Sequence, residues 1–492
     1  MKLLAVHPSP LLYTRTHVRL EPLGLELAAT AARRAGHQVR LIDLQVEQEN
    51  TYSRMLRRWR PDAVAISCNY LANVPEVVDL CKLAKAMLPG CFVFVGGHSA
   101  SFIASELLEH GAGSIDCVLR GEAEPTVAEL LLVAEEDRGA ISRVPGAVTL
   151  DGVGPPPPLV ENLDDLQPTR ELLRKPRRYF MGALDPCASI EFSRGCPWDC
   201  TFCSAWTFYG RSYRQVSPEV AAERLQQISE PGVWVVDDVA FIQGESALEI
   251  GEAIARRGIR KRYFLETRVD VLLRNKEAFK FWKQLGLEYL FLGMEALNDE
   301  DLKRFRKRVT ADKNLEALEF ARSLGLIVIV GLIIGLDWDR RRFQAVRQWC
   351  AELPGTASTT IETPYPGTEM WHTAAQRLTS RDYRLFDILH AVLPTKLPLR
   401  EFYKEYVRTN PAMVAGPSGW RQFAYALTAA PTLLARGQTN LLRRLWTRDR
   451  TLDANTLLAH HTQPPEYELP LPPPAKADND ASALYIHAGT SS

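Results

Sequence analysis

Short apolar runs alternate with amphipathic stretches along the first 150 residues of the chain. The runs KLLAV, DAVAIS and CFVFVGG are each followed by a segment with helical periodicity, at a spacing of roughly 30 residues. This rhythm is typical of βαβ crossovers on a parallel sheet. Residues 1–150 are therefore predicted to form an α/β domain with a doubly wound, Rossmann-like sheet.

A second alternation begins at Ala188, after a segment that interrupts regular structure. The run GVGPPPPL at 152–159 cannot continue a helix or a central strand, so residues 151–187 are predicted to be a linker. Six β-rich runs, from ASIEF to STTIE, then alternate with helical segments over residues 188–376. This pattern predicts a partial (β/α)6 barrel, whose chemistry is expected at the carboxyl ends of its strands.

The remaining residues show no further alternation of strands and helices. Residues 377–461 are predicted to be mainly helical, and the polar, Pro-rich residues 462–492 are predicted to be a disordered tail. Within the helical region, residues 420–446 mix apolar side chains with arginines. Such a stretch can lie in a bilayer interface, giving peripheral membrane contact, or pack on the barrel. Pro431 and Gly437 break a long helix and favour packing.

Composition and charge narrow the class of protein. Apolar residues make up 46% of the chain and charged residues 24%, the balance of a globular protein. The 59 basic residues equal the 59 acidic ones, so no net basic field exists to attract nucleic acid. The N-terminus lacks the pattern of a signal peptide, and no apolar run reaches the ~20 residues that span a bilayer. A cytoplasmic protein is predicted, with membrane association left open.

Three of the nine cysteines, Cys196, Cys200 and Cys203, lie within eight residues directly after the first barrel strand. An odd total and this crowding argue against a disulfide framework. Three thiolates on one loop can hold three irons of a cubane and leave the fourth iron open to an outside ligand. Zinc is the alternative, but structural zinc sites use four ligands and the sequence offers no second pair.

The C-x3-C-x2-C spacing, with an aromatic residue before the last cysteine, resembles the radical S-adenosylmethionine (SAM) superfamily. This resemblance implies a 4Fe-4S cluster on the three cysteines and a SAM molecule bound at the open iron. It also implies that the loop aromatic and the ends of barrel strands two to four bind SAM. The positions that match are Phe202, Asp237, Asp238, Glu266, Arg268, Gly293 and Glu295.

In the first domain, Gly96-Gly97-His98 ends a predicted strand, where bare backbone lets a ligand approach the sheet. Alone, this run also suits a tight turn with a solvated histidine. Placed before the barrel, it resembles the cobalamin-binding domain of the cobalamin-dependent radical SAM enzymes. That resemblance implies a cobalamin site with no histidine on cobalt, since no D-x-H-x-x-G motif occurs. The matching positions are Gly24, Ser67, Asn69, Gly96, Gly97, His98, Gly121, Glu122 and Glu124.

The runs HPSPLLYTR, SCNYLANVPE and FVFVGGHSASF resemble the hopanoid C-3 methylase family. The resemblance implies methyl transfer to an unactivated carbon of a lipid, a hopanoid at C-3, with no catalytic side chains beyond the cofactors. It implies two partners, the lipid substrate and an electron donor such as ferredoxin or flavodoxin. Two alternatives stay open: a cobalamin-dependent radical SAM cyclase or oxidase of tetrapyrrole biosynthesis, and a cobalamin-binding sensor, which would not use the three-cysteine loop.

Overall fold

The computed structural model describes residues 1–12, 18–48, 50–352, 356–409, 431, 434–435, 437–440 and 453–471. None of the helices in these ranges is long and apolar enough to cross a bilayer. The stretch 420–446, for which the sequence leaves two interpretations, falls largely outside them. Over the described residues the chain forms two separate main sheets, one for each alternation in the sequence.

The first sheet has seven strands in the order β2-β1-β3-β4-β5-β6-β7. The strands are β1 (Lys2–His7), β2 (Gln38–Asp43), β3 (Ala63–Ser67), β4 (Phe92–Gly96), β5 (Cys117–Leu119), β6 (Ala147–Thr149) and β7 (Gly152–Val153). The first five are parallel, and β6 and β7 are antiparallel additions. The strand order reverses at β1 and β3, which opens a crevice at their carboxyl ends where ligands bind in such folds.

Helices cover both faces of this sheet. They are α1 (Leu23–Arg34), α2 (Asn50–Trp59), α3 (Val74–Met87), α4 (His98–Phe102), α5 (Ala104–Gly111) and α6 (Val127–Glu136). Successive side chains of a strand point to opposite faces, and here they enter different cores. Val93 and Val95 of β4 join one buried cluster, whereas Phe92 and Phe94 join the other. The predicted doubly wound arrangement is confirmed.

The second sheet has six parallel strands in sequence order. They are β8 (Cys187–Ile190), β9 (Gly232–Val235), β10 (Arg262–Arg268), β11 (Leu287–Glu295), β12 (Ile327–Ile334) and β13 (Thr356–Ile361). The helices that follow them are α7 (Ala205–Phe208), α8 (Pro218–Gln226), α9 (Gly244–Arg256), α10 (Val269–Arg274), α11 (Lys276–Leu285), α12 (Asp299–Arg304), α13 (Ala311–Ser323), α14 (Arg340–Glu352) and α15 (Glu369–Ala374). Val233 and Val235 pack under the helices, whereas Trp234 and Phe264 belong to a separate apolar cluster on the opposite face. The predicted partial barrel is confirmed.

The remaining segments pack on these two units. In the predicted linker, Leu163 and Tyr179 are buried. The C-terminal region contributes α16 (Leu399–Thr409) and α17 (Ala454–His460). The structure differs from the expected disorder over residues 462–471, where Leu469 is buried and the Tyr467 hydroxyl lies 2.7 Å from Lys82 Nζ. These two apolar side chains bury surface on the first domain that a purely polar tail could not.

A candidate active site between the two domains

The three-cysteine loop is held from below by two neighbouring carboxylates at the end of β9. Asp237 is buried and accepts hydrogen bonds from the Phe192 backbone N–H at 2.8 Å and the Ser193 hydroxyl at 2.6 Å. Asp238 accepts from the Gly195 backbone N–H at 2.9 Å. Gly195 has a φ of +96°, and a Cβ there would lie 2.2 Å from a backbone oxygen. Both predicted SAM-binding aspartates therefore also fix the turn that leads into the loop.

The cysteines themselves sit in an apolar environment. Cys196 and Cys200 are buried and Cys203 is half-buried. Burial raises the pKa of Cys196 to about 11 and raises that of Cys203 as well, so a bound cation is needed to hold these thiols as thiolates. Among the described residues, no three His, Cys, Asp or Glu side chains converge on a single-ion site. A cubane spreads three thiolates over three irons, so the donor set fits a 4Fe-4S cluster rather than zinc.

Arg268, a predicted SAM-binding residue, lies against a cluster ligand. Its Nη1 donates to Cys200 Sγ at 3.3 Å, and its Nε donates to Asp270 at 2.9 Å. Its Nη2 donates to the Lys307 backbone carbonyl at 2.7 Å, and its guanidinium lies 4.4 Å from the centre of the Trp198 ring. The guanidinium is thus engaged on all sides, and it places a positive charge next to the Cys200 sulfur.

Two other predicted SAM-binding carboxylates differ in their surroundings. Glu295 accepts a hydrogen bond from Lys307 Nζ at 2.8 Å and lies over Gly293, where a Cβ would be 2.7 Å from its carboxylate. Glu266 has no cation within ion-pair distance among the described residues. Burial raises the pKa of Glu266 to about 7, and the nearby Asp238 and Glu295 add to this rise. Glu266 is therefore available to a cationic ligand.

The remaining predicted SAM-binding residue, Phe202, lies within the cluster loop. Its ring meets Phe305 edge-on at a centroid distance of 5.4 Å. The contact joins the cluster loop to the segment after α12. Phe202 is half-buried, so part of its ring remains open to a ligand or to solvent.

A cavity of about 250 Å³ lies at the carboxyl edge of the first sheet and faces the barrel. It is lined by all of the residues that the sequence predicts for cobalamin, namely Gly24, Ser67, Asn69, Gly96, Gly97, His98, Gly121, Glu122 and Glu124. The barrel contributes Glu191, Arg194, Phe208, Tyr209 and Val236 to the same cavity. Residues from distant parts of the sequence thus form one site between the two domains.

The wall of this cavity is made of small side chains and bare backbone. A Cβ added at Gly24 would meet nothing within 4 Å, so that position opens onto free space. Gly97 has a φ of +115°, and a Cβ there would lie 2.5 Å from Asn69 Oδ1 and 3.0 Å from the Cys68 backbone. Ala5 and Ala65 line the interior. Such a wall fits a bulky ligand that approaches the backbone closely, as cobalamin would.

His98 connects the cavity to the cluster loop. Its Nε2 shares a hydrogen bond of 2.7 Å with the hydroxyl of Ser204, the residue after Cys203, and its ring stacks on Phe208 at 4.5 Å. Burial lowers the pKa of His98 to about 4, so the ring is neutral. One ring nitrogen of His98 is therefore bonded to the barrel, and the absence of a histidine ligand on cobalt stays a prediction.

Sequence reasoning missed the ion network that joins the two halves of the site. Arg194 donates to Glu122 and Glu124 of the first domain, both at 3.1 Å, and to Glu191 at 2.9 Å. Arg214 also pairs with Glu122, at 2.8 Å. The side chain of Glu122 is therefore held between two arginines. Arg194 stands beside the cysteine motif, but no local pattern indicates partners about 70 residues away.

Comparison with known families agrees with this two-part site. Residues 12–131 match the B12 binding domain, and residues 190–350 match the Radical SAM superfamily. The fold resembles the cobalamin-dependent radical SAM enzyme OxsB, with a TM-score of 0.59 and 20% identity over 69% of this chain and 50% of that one. It also resembles the radical SAM methyltransferase TsrM from Kitasatospora setae, with a TM-score of 0.60 and 16% identity over 77% of both chains. The molecule is a cobalamin-dependent radical SAM enzyme.

Similarity to individual proteins shows to which family of cobalamin-dependent radical SAM enzymes the chain belongs. The chain is 59% identical to the hopanoid C-3 methylase of Methylococcus capsulatus over 488 residues, covering 99% of this chain and 95% of that protein. It is 27% identical to the anaerobic magnesium-protoporphyrin IX monomethyl ester cyclase of Cereibacter sphaeroides over 72% of this chain and 60% of that protein. The chain belongs to the hopanoid C-3 methylase family. The predicted enzyme class and the predicted cofactors, a 4Fe-4S cluster, SAM and cobalamin, are confirmed.

Proposed function

We propose that this enzyme transfers a methyl group to C-3 of a hopanoid. The observation that carries the proposal is the direct contact between the two cofactor loops. His98 of the cobalamin cavity bonds Ser204 of the cluster loop at 2.7 Å, and Arg194, which lies just before Cys196, pairs with Glu122 and Glu124 of the first domain. Two cofactors that act on one carbon must face each other, and the identity to the methylase of Methylococcus capsulatus supports the substrate.

The residues of the chain have separate tasks in this proposal. When bound, the cluster and SAM supply hydrogen-atom abstraction, and cobalamin supplies a transferable methyl group. Cys196, Cys200 and Cys203 would hold the cluster. Glu266 would pair with the ammonium group of SAM, because it lies on the barrel near the cluster loop and has no cation within ion-pair distance among the described residues. Gly96 and Gly97 line the cavity without side chains, which would let cobalamin approach the backbone of the first sheet.

The barrel also offers a surface that suits a hydrocarbon substrate. Trp234, Phe264, Phe291 and Ile329 form an apolar cluster on the face of the sheet away from the main core, and all but Phe264 are only partly buried. Hydrophobic binding requires apolar area and few directional contacts. These side chains therefore support a polycyclic lipid over a polar substrate.

The proposal brings several expectations with it. A lipid substrate favours peripheral contact with a membrane, which vesicle flotation of the purified enzyme can test. An electron donor such as ferredoxin or flavodoxin is also required by the chemistry. The sequence predicts boundaries of 1–150 for cobalamin, 188–376 for the barrel and 377–461 for the helical region. We propose the same division, with the cobalamin domain extended to Val153 by β7 and the barrel beginning at Cys187 with β8.

The decisive test uses enzyme reconstituted anaerobically with cluster and cobalamin, together with a reductant, SAM with a trideuterated methyl group and a hopanoid that lacks a C-3 methyl. We expect a methylated hopanoid that keeps all three deuteriums, because the methyl group is not the site of hydrogen removal. A second incubation offers magnesium-protoporphyrin monomethyl ester. Ring closure there, with no methylated hopanoid, would overturn the proposal in favour of the cyclase alternative.

A further inference from the structure

A strongly basic segment begins in the last turn of α12 and continues beyond it. Residues 303–308 read Lys-Arg-Phe-Arg-Lys-Arg, so five of six side chains are cationic. Arg306 and Arg308 have φ values of 53° and 59°, and the chain alternates between inward and outward side chains. Phe305 and Lys307 are buried, whereas Lys303 and the three arginines are exposed. We call residues 303–308 the basic segment.

The basic segment packs directly on the cluster loop. Thr201, which lies between Cys200 and Cys203, donates its backbone N–H to the Phe305 carbonyl at 3.2 Å and its hydroxyl to the Arg304 carbonyl at 3.3 Å. Arg308 donates to Asp199 of the same loop at 2.6 Å. Residues 201–206 of the loop are themselves only partly buried. The basic segment therefore borders the place where the cluster loop reaches the surface.

The ion pairs of this segment leave its positive charges on the outside. The Arg308 side chain is 60% exposed while its partner Asp199 is 12% exposed, and Arg304 is 42% exposed while its partner Glu362 is 11% exposed. No carboxylate in the described part of the chain lies within ion-pair distance of Lys303. On the other side of the loop, Arg211 is 55% exposed and also faces Asp199. Arg306 pairs with Glu369, and their side chains are 44% and 33% exposed. In each of these pairs the arginine is the more exposed partner, so the surface of the basic segment is mainly cationic.

We propose that the basic segment, together with Arg211, is the docking surface for an acidic protein that carries one electron at a time. The cluster must be reduced from outside the chain, and in that step one electron leaves the carrier and enters the cluster with no proton or group transferred. A cationic surface recognises an acidic partner and steers its approach. The proposal rests on the cluster and not on the identity of the lipid substrate.

An anionic membrane is the other partner that a cationic surface could attract. Interfacial binding normally combines basic side chains with large apolar residues that enter the bilayer. The one aromatic residue of the basic segment, Phe305, is buried against Phe202 instead. The observations therefore favour a protein partner, and vesicle binding becomes an outcome of the test.

The test compares two double variants of the reconstituted holoenzyme with the unmodified enzyme. Lys303→Gln with Arg306→Gln removes two exposed charges from the basic segment. Arg256→Gln with Lys280→Gln removes two exposed charges from α9 and α11, and is the matched control. Reduced flavodoxin, as an acidic carrier, and dithionite, as a small reductant, are supplied separately at low and high salt. Formation of 5'-deoxyadenosine gives the rate, and calorimetry gives the affinity for oxidised flavodoxin.

At low salt we expect the first variant to lose about tenfold in flavodoxin affinity and in flavodoxin-driven rate, and to lose most of its salt dependence. Its dithionite-driven rate should match that of the unmodified enzyme, and the control variant should match in every assay. An unchanged flavodoxin rate would overturn the proposal, as would an equal loss with dithionite. Loss of binding to phosphatidylglycerol vesicles with unchanged flavodoxin kinetics would assign the surface to lipid instead. No assay uses the lipid substrate, so failure here is distinct from failure of the proposed function.

Discussion

The two halves of the site differ in the chemical groups that form them. On the barrel side, three thiols, Arg268 and a set of buried carboxyl groups carry the chemistry. On the cobalamin side, much of the wall is backbone, glycine and alanine, and the ionisable residues His98 and Glu122 are already bonded to the barrel. A metal cluster needs particular donor atoms, whereas a large preformed cofactor needs space and close approach to the backbone.

On the barrel side, the loss of a single cysteine sulfur should prevent assembly of a complete cluster. Cys196→Ala, Cys200→Ala or Cys203→Ala should each leave an incomplete cluster and abolish 5'-deoxyadenosine formation. Cobalamin binding should survive, because the cavity is built on another sheet. Cys350→Ala, outside the loop, is the control. Iron analysis and chromatography measure both effects, and full iron content with normal SAM cleavage in a loop variant would refute the assignment.

The second prediction concerns the free carboxyl group of the barrel. Burial raises the pKa of Glu266 to about 7, and only its carboxylate form pairs with the ammonium group of SAM. SAM affinity should therefore rise with pH between about 6 and 8. Glu266→Gln should weaken binding by about 1.5–3 kcal/mol above that range and abolish the pH dependence.

Calorimetry of SAM binding measures this effect. The matched control is Glu26→Gln, which alters a buried carboxyl group in the first domain whose pKa burial raises to about 8. It should leave both the SAM affinity and its pH dependence intact. An unchanged pH profile in Glu266→Gln would remove this residue from the SAM site.

The third prediction tests the backbone-built side. Gly97→Ala should forfeit cobalamin binding, because the new Cβ would strain a φ of +115° and meet Asn69 Oδ1 at 2.5 Å. The strain alone is worth about 1–3 kcal/mol. Gly36→Ala shares the positive φ, at +90°, but its Cβ would meet nothing within 4 Å. The Gly36→Ala variant should be less stable but should still bind cobalamin. The absorbance of bound cobalamin after desalting measures this retention. Equal cobalamin retention in both variants would contradict a backbone-built site.

The smallest expected effect is on the cluster potential. Arg268 places a cationic donor 3.3 Å from Cys200 Sγ, and hydrogen bonds to the sulfurs of a cluster stabilise its more negative, reduced form. Arg268→Gln should lower the ratio of reduced to oxidised cluster at a fixed potential about tenfold, which is about 59 mV for one electron. Redox titration followed by electron paramagnetic resonance measures this, with Arg274→Gln as an exposed control. No shift, or a shift to higher potential, would contradict the role.

Features that depend on local sequence could be predicted. The cysteine spacing lies within one loop, and glycines at strand ends mark the backbone approaches of the first domain. Both sheets follow from the alternation of apolar runs. The cobalamin-lining positions are indicated by the resemblance to cobalamin-dependent radical SAM enzymes, and they lie together because the carboxyl ends of parallel strands meet at one edge of a sheet.

Features that depend on distant pairing could not be predicted. Arg194 meets Glu122 and Glu124 only after the two domains pack, and Arg268 reaches Cys200 across the barrel. The order of residues 462–471 depends on the first domain, against which Leu469 is buried together with Tyr383 and Leu385. In each case the stabilising contact joins residues that are far apart in the sequence, so no helical or strand periodicity indicates the pairing.

The central claim is that both cofactors act on the same carbon, and one incubation tests it directly. A hopanoid carrying two deuteriums at C-3 is supplied with SAM and reductant to enzyme loaded with cluster, with or without cobalamin. We predict one deuterium in 5'-deoxyadenosine, and a methylated product that keeps only the other deuterium at C-3 and forms only when cobalamin is present. Unlabelled 5'-deoxyadenosine beside a methylated hopanoid that keeps both deuteriums, or a methylated hopanoid that forms without cobalamin, would contradict the account.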